Sequence, residues 1–472
     1  MTDKKKKTQL AIIGAGPGGY AAAFHAADLG LKVTLIDPRE NPGGICLYEG
    51  CIPTKALLHF ADVKEESEKA KEFGLHFDNA SVDINQLSKW KDQVVGKLTK
   101  GLGQLTKARK INYVRAVATI TDSHTLELTD ADKNKSSLTF DKAIIATGSH
   151  ANELPEAKFD HKKILDAGSA LQLKEAPKQM LVVGAGYIGL EMSVIYQALG
   201  TKITIVEASS GILPGMSRDL AKVFQKERQT LLKNAHFNTK VVEVGKKGKR
   251  LKATYKNKEG QKTSKNFDKI LVAVGQTPNT QNLGLEAAGI ELGQKGFIQV
   301  NEFRQTNRDH IYAVGDVTGA PLLAHKATHE GRVAAEHVAG LKTAYEPKAI
   351  PAVVYTGLAW VGLTEAKAKE EKREVKIVTF PWNASGRAAT QGIKQGLTKL
   401  IIDPENDRLL GAEFAGKRAG TLVAEATLAI EMGATAKDLE LTIHPHPTFS
   451  ETIMEAAELY YGPATHSMKS GA

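Results

Sequence analysis

Short runs of apolar residues, separated by helical stretches, dominate two parts of the chain. In the first part, residues 10–13 and 33–36 are apolar and flank an alanine-rich stretch that reaches about Leu29. Such runs are typical of strands buried in a parallel sheet, and the longer stretch between them is typical of a helix. The second part repeats the pattern, with apolar residues 180–183 and 202–206 around another helical stretch. The periodicity therefore predicts two β-α-β units in an α/β protein.

Each unit carries the features of a dinucleotide-binding turn. Three spaced glycines follow the first strand and an acid ends the second strand: Gly14, Gly16, Gly19 and Asp37 in the first unit, and Gly184, Gly186, Gly189 and Glu207 in the second. The first glycine makes the turn, the second lets the backbone approach a pyrophosphate, the third lets helix and strand pack, and the acid binds a ribose hydroxyl. A glycine-rich turn without a ligand is the alternative, and the duplication disfavours it.

The only two cysteines of the chain, Cys46 and Cys51, share one segment that glycines and a proline bracket. A structural disulfide closing so short a ring would contribute only about 2 kcal/mol, and a chain of this length buries its cores without such help. Two unrelated buried thiols are a second alternative. The segment predicts a turn that runs into a helix, whose N-terminus acidifies a thiol. We therefore predict a redox-active pair that exchanges with a substrate disulfide.

The order of the motifs assigns a cofactor to each site. A dithiol gives up two electrons, and a flavin can accept them and pass a hydride to a nicotinamide. The first glycine turn leads directly into the cysteines, so it is predicted to hold FAD. The second is predicted to hold NAD rather than NADP, because Glu207 repels a 2′-phosphate and residues 208–210 offer no arginine to accept one.

Length and charge bound the remaining possibilities. A chain of 472 residues is long enough for several domains. The N-terminal residues lack the apolar core of a signal peptide, and no apolar run is long enough to span a bilayer, so a cytoplasmic protein is expected. The net charge of +10 allows a binding role toward nucleic acid or an acidic partner. No aromatic interleaving accompanies the lysines, so a solvated surface and no nucleic-acid partner are predicted.

Eight motifs make the chain resemble a known family from about Thr8 to the C-terminus. They are GAGPGG, GGICLYEGCIPTKALL, AIIATGS, VVGAGYIGLE, IYAVGDV, LLAHKATHEG, FPWNASGRA and HPHPTFSE. The chain resembles the pyridine nucleotide-disulfide oxidoreductases, or flavin disulfide reductases, and within them the dihydrolipoyl dehydrogenases. The resemblance implies oxidation of protein-bound dihydrolipoamide to lipoamide through Cys46 and Cys51 and FAD, with NAD+ as acceptor. A related reductase acting on another disulfide, such as glutathione, is the alternative.

The resemblance also implies an architecture and partners. We expect two Rossmann-like domains followed by a C-terminal α+β dimerisation domain, divided as FAD domain 1–150, NAD domain 151–276, a central domain 277–345 that completes the FAD site, and interface domain 346–472. Alternating segments before residue 270 predict a β-meander, and the region from about 346 predicts strands with two helices. The implied partners are a second copy of the chain and the lipoyl domains of an E2 acyltransferase or a glycine-cleavage H protein.

Roles for single residues follow from the matched motifs. Cys46 would attack the substrate and Cys51 would lie against the flavin, with Lys55 and Glu191 near the flavin N5. His446 and Glu451 would form an acid–base pair contributed by the other subunit, and the prolines around His446 suit a rigidly presented side chain. Asp316 would hold the ribityl chain. The further cofactor-binding positions implied are Ala118, Thr147, Gly148, Ala324, Tyr187, Ile188, Val241, Ala273 and Gly275, and no metal site is predicted.

Three departures from the family pattern stand out. Tyr48 and Glu49 lie between the cysteines where relatives have smaller, uncharged residues, so they add bulk and a negative charge beside the dithiol. Gln276 replaces a common arginine. The segment 356–360 is shorter than its counterpart, which bears on where the interface domain begins.

Overall fold

The computed structural model describes residues 6–77 and 81–468, and helices alternate with strands along most of this length. The α-helices in these ranges are α1 (Pro17–Asp28), α2 (Gly44–Glu49), α3 (Cys51–Lys69), α4 (Ile84–Ala108), α5 (Ala167–Leu171), α6 (Tyr187–Ala198), α7 (Arg218–Glu227), α8 (Gln229–Leu232), α9 (Ala324–Val338), α10 (Glu365–Glu371), α11 (Gly386–Ala389), α12 (Ala419–Met432), α13 (Ala436–Leu441) and α14 (Glu451–Tyr461). Turns of 3-10 helix lie at Ala70–Phe73, Leu285–Ala288, Gln294–Gly296, Gly315–Thr318 and Trp382–Ala384.

The first sheet combines the N-terminal strands with one strand from far downstream. Its strands are β1 (Lys6–Ile13), β2 (Val33–Ile36), β3 (Asn112–Val114), β4 (Val117–Asp122), β5 (Thr125–Thr129), β6 (Lys135–Ile145) and β17 (Ile311–Ala313). The order is β3-β2-β1-β6-β5-β4, and β17 pairs with β6 in parallel. Because β1, β6 and β17 run parallel, the chain leaves all three at the same sheet edge, where open α/β sheets bind ligands.

The second sheet repeats this parallel arrangement. Its strands are β8 (Ile164–Leu165), β9 (Gln179–Val183), β10 (Lys202–Val206), β11 (Ala235–His236) and β15 (Lys269–Val272), in the order β11-β10-β9-β15-β8. The predicted meander is present as β12 (Thr239–Lys247), β13 (Arg250–Asn257) and β14 (Lys262–Phe267). A two-stranded ladder of β7 (Ser149–Ala151) and β16 (Gln276–Pro278) joins the segments that leave the first sheet and return from the second.

The C-terminal part is an antiparallel sheet covered by helices. Its strands are β18 (Ala352–Val354), β19 (Leu358–Gly362), β20 (Lys376–Pro381), β21 (Leu397–Ile402) and β22 (Leu409–Ala415), in the order β18-β19-β22-β21-β20. Trp382 is fully buried in its core, and α12 and α14 pack on the strands. The shortened segment forms the tight turn between β18 and β19, with Gly357 at a φ of +109° that favours glycine.

Most sequence-based expectations agree with this architecture. The α/β fold class with two Rossmann-like units and a C-terminal α+β part is confirmed. The expectation of two helices after residue 346 is wrong, because α10 to α14 all lie there; α10, α11 and α13 are too short to show helical periodicity. Within the described residues, no helix combines the length and apolar character needed to cross a membrane.

Candidate active site

In each glycine turn, the first and third glycines are required by packing within the protein. A Cβ on Gly14 would lie 2.4 Å from the carbonyl oxygen of Ala146, and one on Gly19 would lie 1.9 Å from that of Gly14. The second turn repeats the arrangement, because a Cβ on Gly184 would lie 2.3 Å from Ala273 O and one on Gly189 would lie 2.0 Å from Gly184 O. The turns are therefore built alike, and Ala273 backs the second turn as Ala146 backs the first.

The middle glycine of each turn faces open space instead. A Cβ on Gly186 would meet nothing within 4 Å, and one on Gly16 would meet only Gly44 Cα at 3.9 Å. The fold itself thus does not require glycine at these two positions. A pyrophosphate passing close to the backbone does require it, so the residues present fit dinucleotides at both turns.

The acid after the second strand of each unit is held in the same way. The Ala15 N–H donates to Asp37 Oδ2 at 2.9 Å, and the Ala185 N–H donates to Glu207 Oε2 at 2.7 Å. The Ser209 N–H and hydroxyl also donate to Glu207 Oε1, each at 2.7 Å. Each carboxylate is thereby fixed beside its glycine turn, where a ribose hydroxyl would lie.

The two cysteines lie on either side of Gly50, where α2 ends and α3 begins. Cys46 belongs to α2, and Cys51 is the first residue of α3, at a helix N-terminus as predicted. In the dithiol form, a hydrogen bond from Cys46 and the nearby Lys55 ammonium lower the pKa of Cys51 to about 7. The same hydrogen bond, together with burial, raises the pKa of Cys46. Cys51 is therefore the thiol that ionises first.

One cavity collects most of the predicted site residues of the first unit. Its lining contains both cysteines together with Gly14, Gly16, Asp37, Lys55, Thr147, Gly148, Tyr187, Ile188, Glu191, Asp316 and Ala324. These residues come from the ends of β1, β2, β6 and β17, from α2, and from the N-terminal parts of α3, α6 and α9. Tyr187 and Ile188, which belong to the second glycine turn, also line the cavity that contains the dithiol. Ala118 and Val241 lie in hydrophobic cores and do not contribute to its lining.

Lys55 and Glu191 form an ion pair at the wall of this cavity. Lys55 Nζ lies 2.9 Å from Glu191 Oε2, and the Tyr355 N–H donates to Glu191 Oε1 at 3.0 Å. The Lys55 ammonium also lies 4.4 Å from the centroid of the Tyr355 ring. Because Glu191 is only 2% exposed, its charge needs this partner, and the pair fixes an ammonium group beside Cys51.

Asp316, which also lines the cavity, is held in place by residues that sequence reasoning missed. The Ser149 hydroxyl donates to Asp316 Oδ2 at 2.6 Å, and burial raises the pKa of the Asp316 carboxyl. The turn that carries it is anchored by the fully buried Glu330, which accepts from the Gly315 N–H at 2.7 Å and pairs with Arg304 and Lys326. The i,i+4 spacing of Lys326 and Glu330 inside one helix was the available signal.

The two residues between the cysteines reach Arg39. Glu49 Oε1 lies 3.2 Å from Arg39 Nη2, and the guanidinium lies 5.3 Å from the centroid of the Tyr48 ring. Tyr48 also donates from its hydroxyl to the Asn41 carbonyl at 3.0 Å. Arg39, Glu49 and Gln276 all line the cavity, so two of the departures from the family pattern lie at the candidate site itself.

His446 and Glu451 are paired, but on a different part of the chain. His446 Nδ1 lies 2.7 Å from Glu451 Oε1, and the Thr448 N–H donates to Glu451 Oε2 at 2.5 Å. Among the residues that the structure describes, none after Ala327 in the sequence lines the cavity, so within one chain the structure does not bring this pair to the dithiol. His444, which lacks a matching glutamate downstream, pairs with Glu425 on α12 at 2.7 Å.

No cluster of His, Cys, Asp or Glu side chains suited to a metal ion occurs in the described ranges.

Comparisons with known proteins agree with this geometry. The family model described as pyridine nucleotide-disulphide oxidoreductase matches residues 8–331, and the model of its dimerisation domain matches residues 350–457. The dihydrolipoyl dehydrogenase of Haemophilus influenzae is 43% identical over 98% of this chain and 97% of its own. That of Thermus scotoductus is 44% identical over 98% and 99%.

Solved structures extend the likeness to the fold. LpdA from Mycobacterium tuberculosis matches with a TM-score of 0.89 at 26% identity, covering 96% of this chain and 99% of that one. The HOCl-induced flavoprotein disulfide reductase RclA from Escherichia coli matches with a TM-score of 0.84 at 26% identity and the same coverage. The protein described here therefore belongs to the pyridine nucleotide-disulphide oxidoreductase family.

Proposed function

We propose that the protein is a dihydrolipoyl dehydrogenase, which oxidises protein-bound dihydrolipoamide to lipoamide and reduces NAD+. One observation carries the proposal: a single cavity brings the first glycine turn, both cysteines and the Lys55–Glu191 pair together. The high identity to dihydrolipoyl dehydrogenases over nearly the whole chain supports the same reaction.

The cysteine pair would exchange with the substrate in two steps. A thiolate of dihydrolipoamide attacks Cys46 Sγ, the Cys46–Cys51 bond breaks, and Cys51 leaves as the thiolate. The second substrate thiol, after losing its proton, attacks the lipoyl sulfur of the mixed disulfide and releases Cys46. Lipoamide leaves with its ring closed, and the two electrons remain on the protein dithiol. The lowered pKa of Cys51 makes it the better leaving group in the first step.

The cofactors would occupy the two glycine turns. FAD, when bound, supplies the two-electron link between the dithiol and the nicotinamide. For FAD, we propose contacts from Gly16, Asp37, Asp316 and the helix N-terminus at Ala324. NAD would lie at Gly186 and Glu207, with Ala273 and Gly275 behind the turn. Lys55 would hold its positive charge near the flavin and the Cys51 thiolate.

His446 would serve as the base for the substrate thiol. Its Nδ1 bonds to Glu451, which fixes the ring and leaves Nε2 free to accept a proton, and the side chain is 68% exposed. Since no residue of this segment lines the cavity of its own chain, we propose that His446 acts in the cavity of a second subunit.

An exposed apolar surface near His446 supports a homodimer. Leu428 and Met432 on α12, Leu441, and Ile443 are 64%, 76%, 68% and 96% exposed. His444 ties the segment before His446 to α12 through Glu425, so this apolar surface adjoins the proposed base. Covering it with a second copy would bury the apolar side chains and bring His446 to the other subunit.

The protein that carries the lipoyl group and the cellular location are part of the same proposal. The lipoyl group would arrive on a lipoyl domain of an E2 acyltransferase or on a glycine-cleavage H protein. A cytoplasmic location fits, because paired cysteines in cytosolic proteins are usually catalytic rather than structural.

A panel of disulfides tests the reaction. NADH oxidation would be measured with lipoamide, oxidised glutathione and oxidised thioredoxin under the same conditions, with Cys46→Ser as the inactive control. We expect turnover with lipoamide alone. Faster turnover with glutathione or thioredoxin would refute the proposed substrate while keeping the family chemistry.

A further inference from the structure

A broad groove with an unbalanced positive charge runs along α4. It lies between α4 and the residues that follow α5, and encloses about 850 Å³. Four lysines line it, Lys89, Lys97, Lys100 and Lys174, against the single carboxylate of Asp92. That carboxylate is already engaged, because Asp92 Oδ1 lies 2.8 Å from Lys91 Nζ. The groove therefore presents four ammonium groups that nothing lining it neutralises.

The lysines are available to a partner. All four are exposed, and none has a carboxylate within 4.0 Å among the residues that the structure describes. Lys89, Lys97 and Lys100 follow one face of α4 and extend over about 16 Å of helix axis. Such a row does not converge on one point as a site for a small anion does. The spacing of these lysines suits instead the surface of a macromolecular partner of similar length.

The groove is fixed in position close to the dithiol cavity. Lys91 is 5% exposed and donates from Nζ to the Leu171 carbonyl at 2.8 Å, so it joins the two walls. Leu171 is the last residue of α5, and the first, Ala167, lines the cavity that contains the cysteines. This helix of five residues is about 7.5 Å long, so the groove and the cavity lie on either side of one short element.

We propose that this groove docks an acidic face of the protein domain that carries the dihydrolipoyl group. The inference rests on the proposed function, in which the substrate arrives on a protein and must be held near Cys46. A basic surface that no lining carboxylate neutralises is complementary to an acidic partner, and such complementarity speeds association and selects the partner.

Charge reversal in the groove tests the proposal. The variant combines Lys97→Glu with Lys100→Glu, and the matched control combines Lys256→Glu with Lys262→Glu. The control lysines are also exposed, face each other on β13 and β14, and change the net charge equally. The substrates are free dihydrolipoamide and a reduced E2 lipoyl domain chosen for its net negative charge.

We expect kcat/KM for the lipoyl domain to fall about tenfold in the groove variant at low ionic strength, because electrostatic steering of this kind changes association rates by about 10-fold or more. The control should stay within about twofold, and free dihydrolipoamide should be oxidised equally by all three proteins. The loss should disappear at high salt, which screens exposed charges.

Calorimetry at the same ionic strength measures binding of the lipoyl domain directly, so it detects docking independently of turnover. Equal losses in both variants, or no loss in the groove variant, would overturn the proposal. Binding of duplex DNA that only the groove variant loses, with lipoyl-domain binding intact, would overturn it in favour of nucleic acid. If the native protein failed to oxidise free dihydrolipoamide, the proposed function would fail, and the calorimetry would still decide whether the groove binds the acidic domain.

Discussion

Replacing the middle glycine of the second turn separates a ligand requirement from a folding requirement. Gly186 has φ −74° and ψ −179°, which alanine adopts without strain, and a Cβ there meets nothing within 4 Å. Gly186→Ala should therefore fold normally while placing a methyl group where the NAD pyrophosphate would pass. Gly189→Ala is the matched contrast, since its Cβ would lie 2.0 Å from Gly184 O.

The two variants should lose different properties: Gly186→Ala should lose affinity for NADH, and Gly189→Ala should lose stability of the fold. For Gly186→Ala, the poorer N-cap costs about 1 kcal/mol, and the stiffer unfolded chain offsets about 0.4–1 kcal/mol of this. The midpoint of thermal unfolding should fall by less than about 4 °C. A methyl group forced against the ligand costs about 1–3 kcal/mol, so NADH should bind about 5- to 150-fold more weakly. Gly189→Ala should instead destabilise the fold by about 3 kcal/mol or more.

Thermal unfolding and NADH titration of the FAD-loaded protein measure both effects. The reasoning is refuted if Gly186→Ala binds NADH within about twofold of the native protein. It is also refuted if Gly186→Ala unfolds as early as Gly189→Ala, because the open space beside Gly186 would then not exist.

Three further predictions concern single side chains. In the reduced protein, the ultraviolet absorbance of the Cys51 thiolate should rise as the pH passes about 7. Lys55→Met should move the midpoint of this rise upward, because it removes an ammonium group that lowers the pKa of Cys51. An unchanged midpoint would show that Lys55 does not lower this pKa. His446→Gln should slow dihydrolipoamide oxidation by about 10²–10⁴-fold while NADH still reduces the flavin rapidly. If the base acts across subunits, verified heterodimers of His446→Gln and Cys46→Ser chains should regain activity. Inactive heterodimers would argue against a shared site. Glu207→Arg should shift the ratio of kcat/KM values from NAD toward NADP. Arg218, whose Nη2 lies 3.3 Å from Ser210 Oγ, should then help to bind the 2′-phosphate. Equal use of both nucleotides by the native protein would contradict the role of Glu207.

The sequence by itself determined the features that local spacing encodes. Each glycine turn needs its residues at fixed offsets between a strand and a helix, so Gly14, Gly19 and Asp37 are recognisable from their spacing alone. The same holds for Cys46 and Cys51, because a turn that enters a helix brings two thiols five positions apart together. Two β-α-β units followed from the buried apolar strands for the same local reason.

Only the tertiary structure decided which distant side chains meet. Glu191 reaches Lys55 and Ser149 reaches Asp316, and each of these contacts crosses between elements far apart in sequence. The lysine groove arises likewise, because α4 and the residues after α5 become neighbours only when the chain folds. Periodicity and spacing report which face of an element is buried. They do not report what that face packs against, which depends on how all the elements together exclude water from apolar surface and satisfy buried charges.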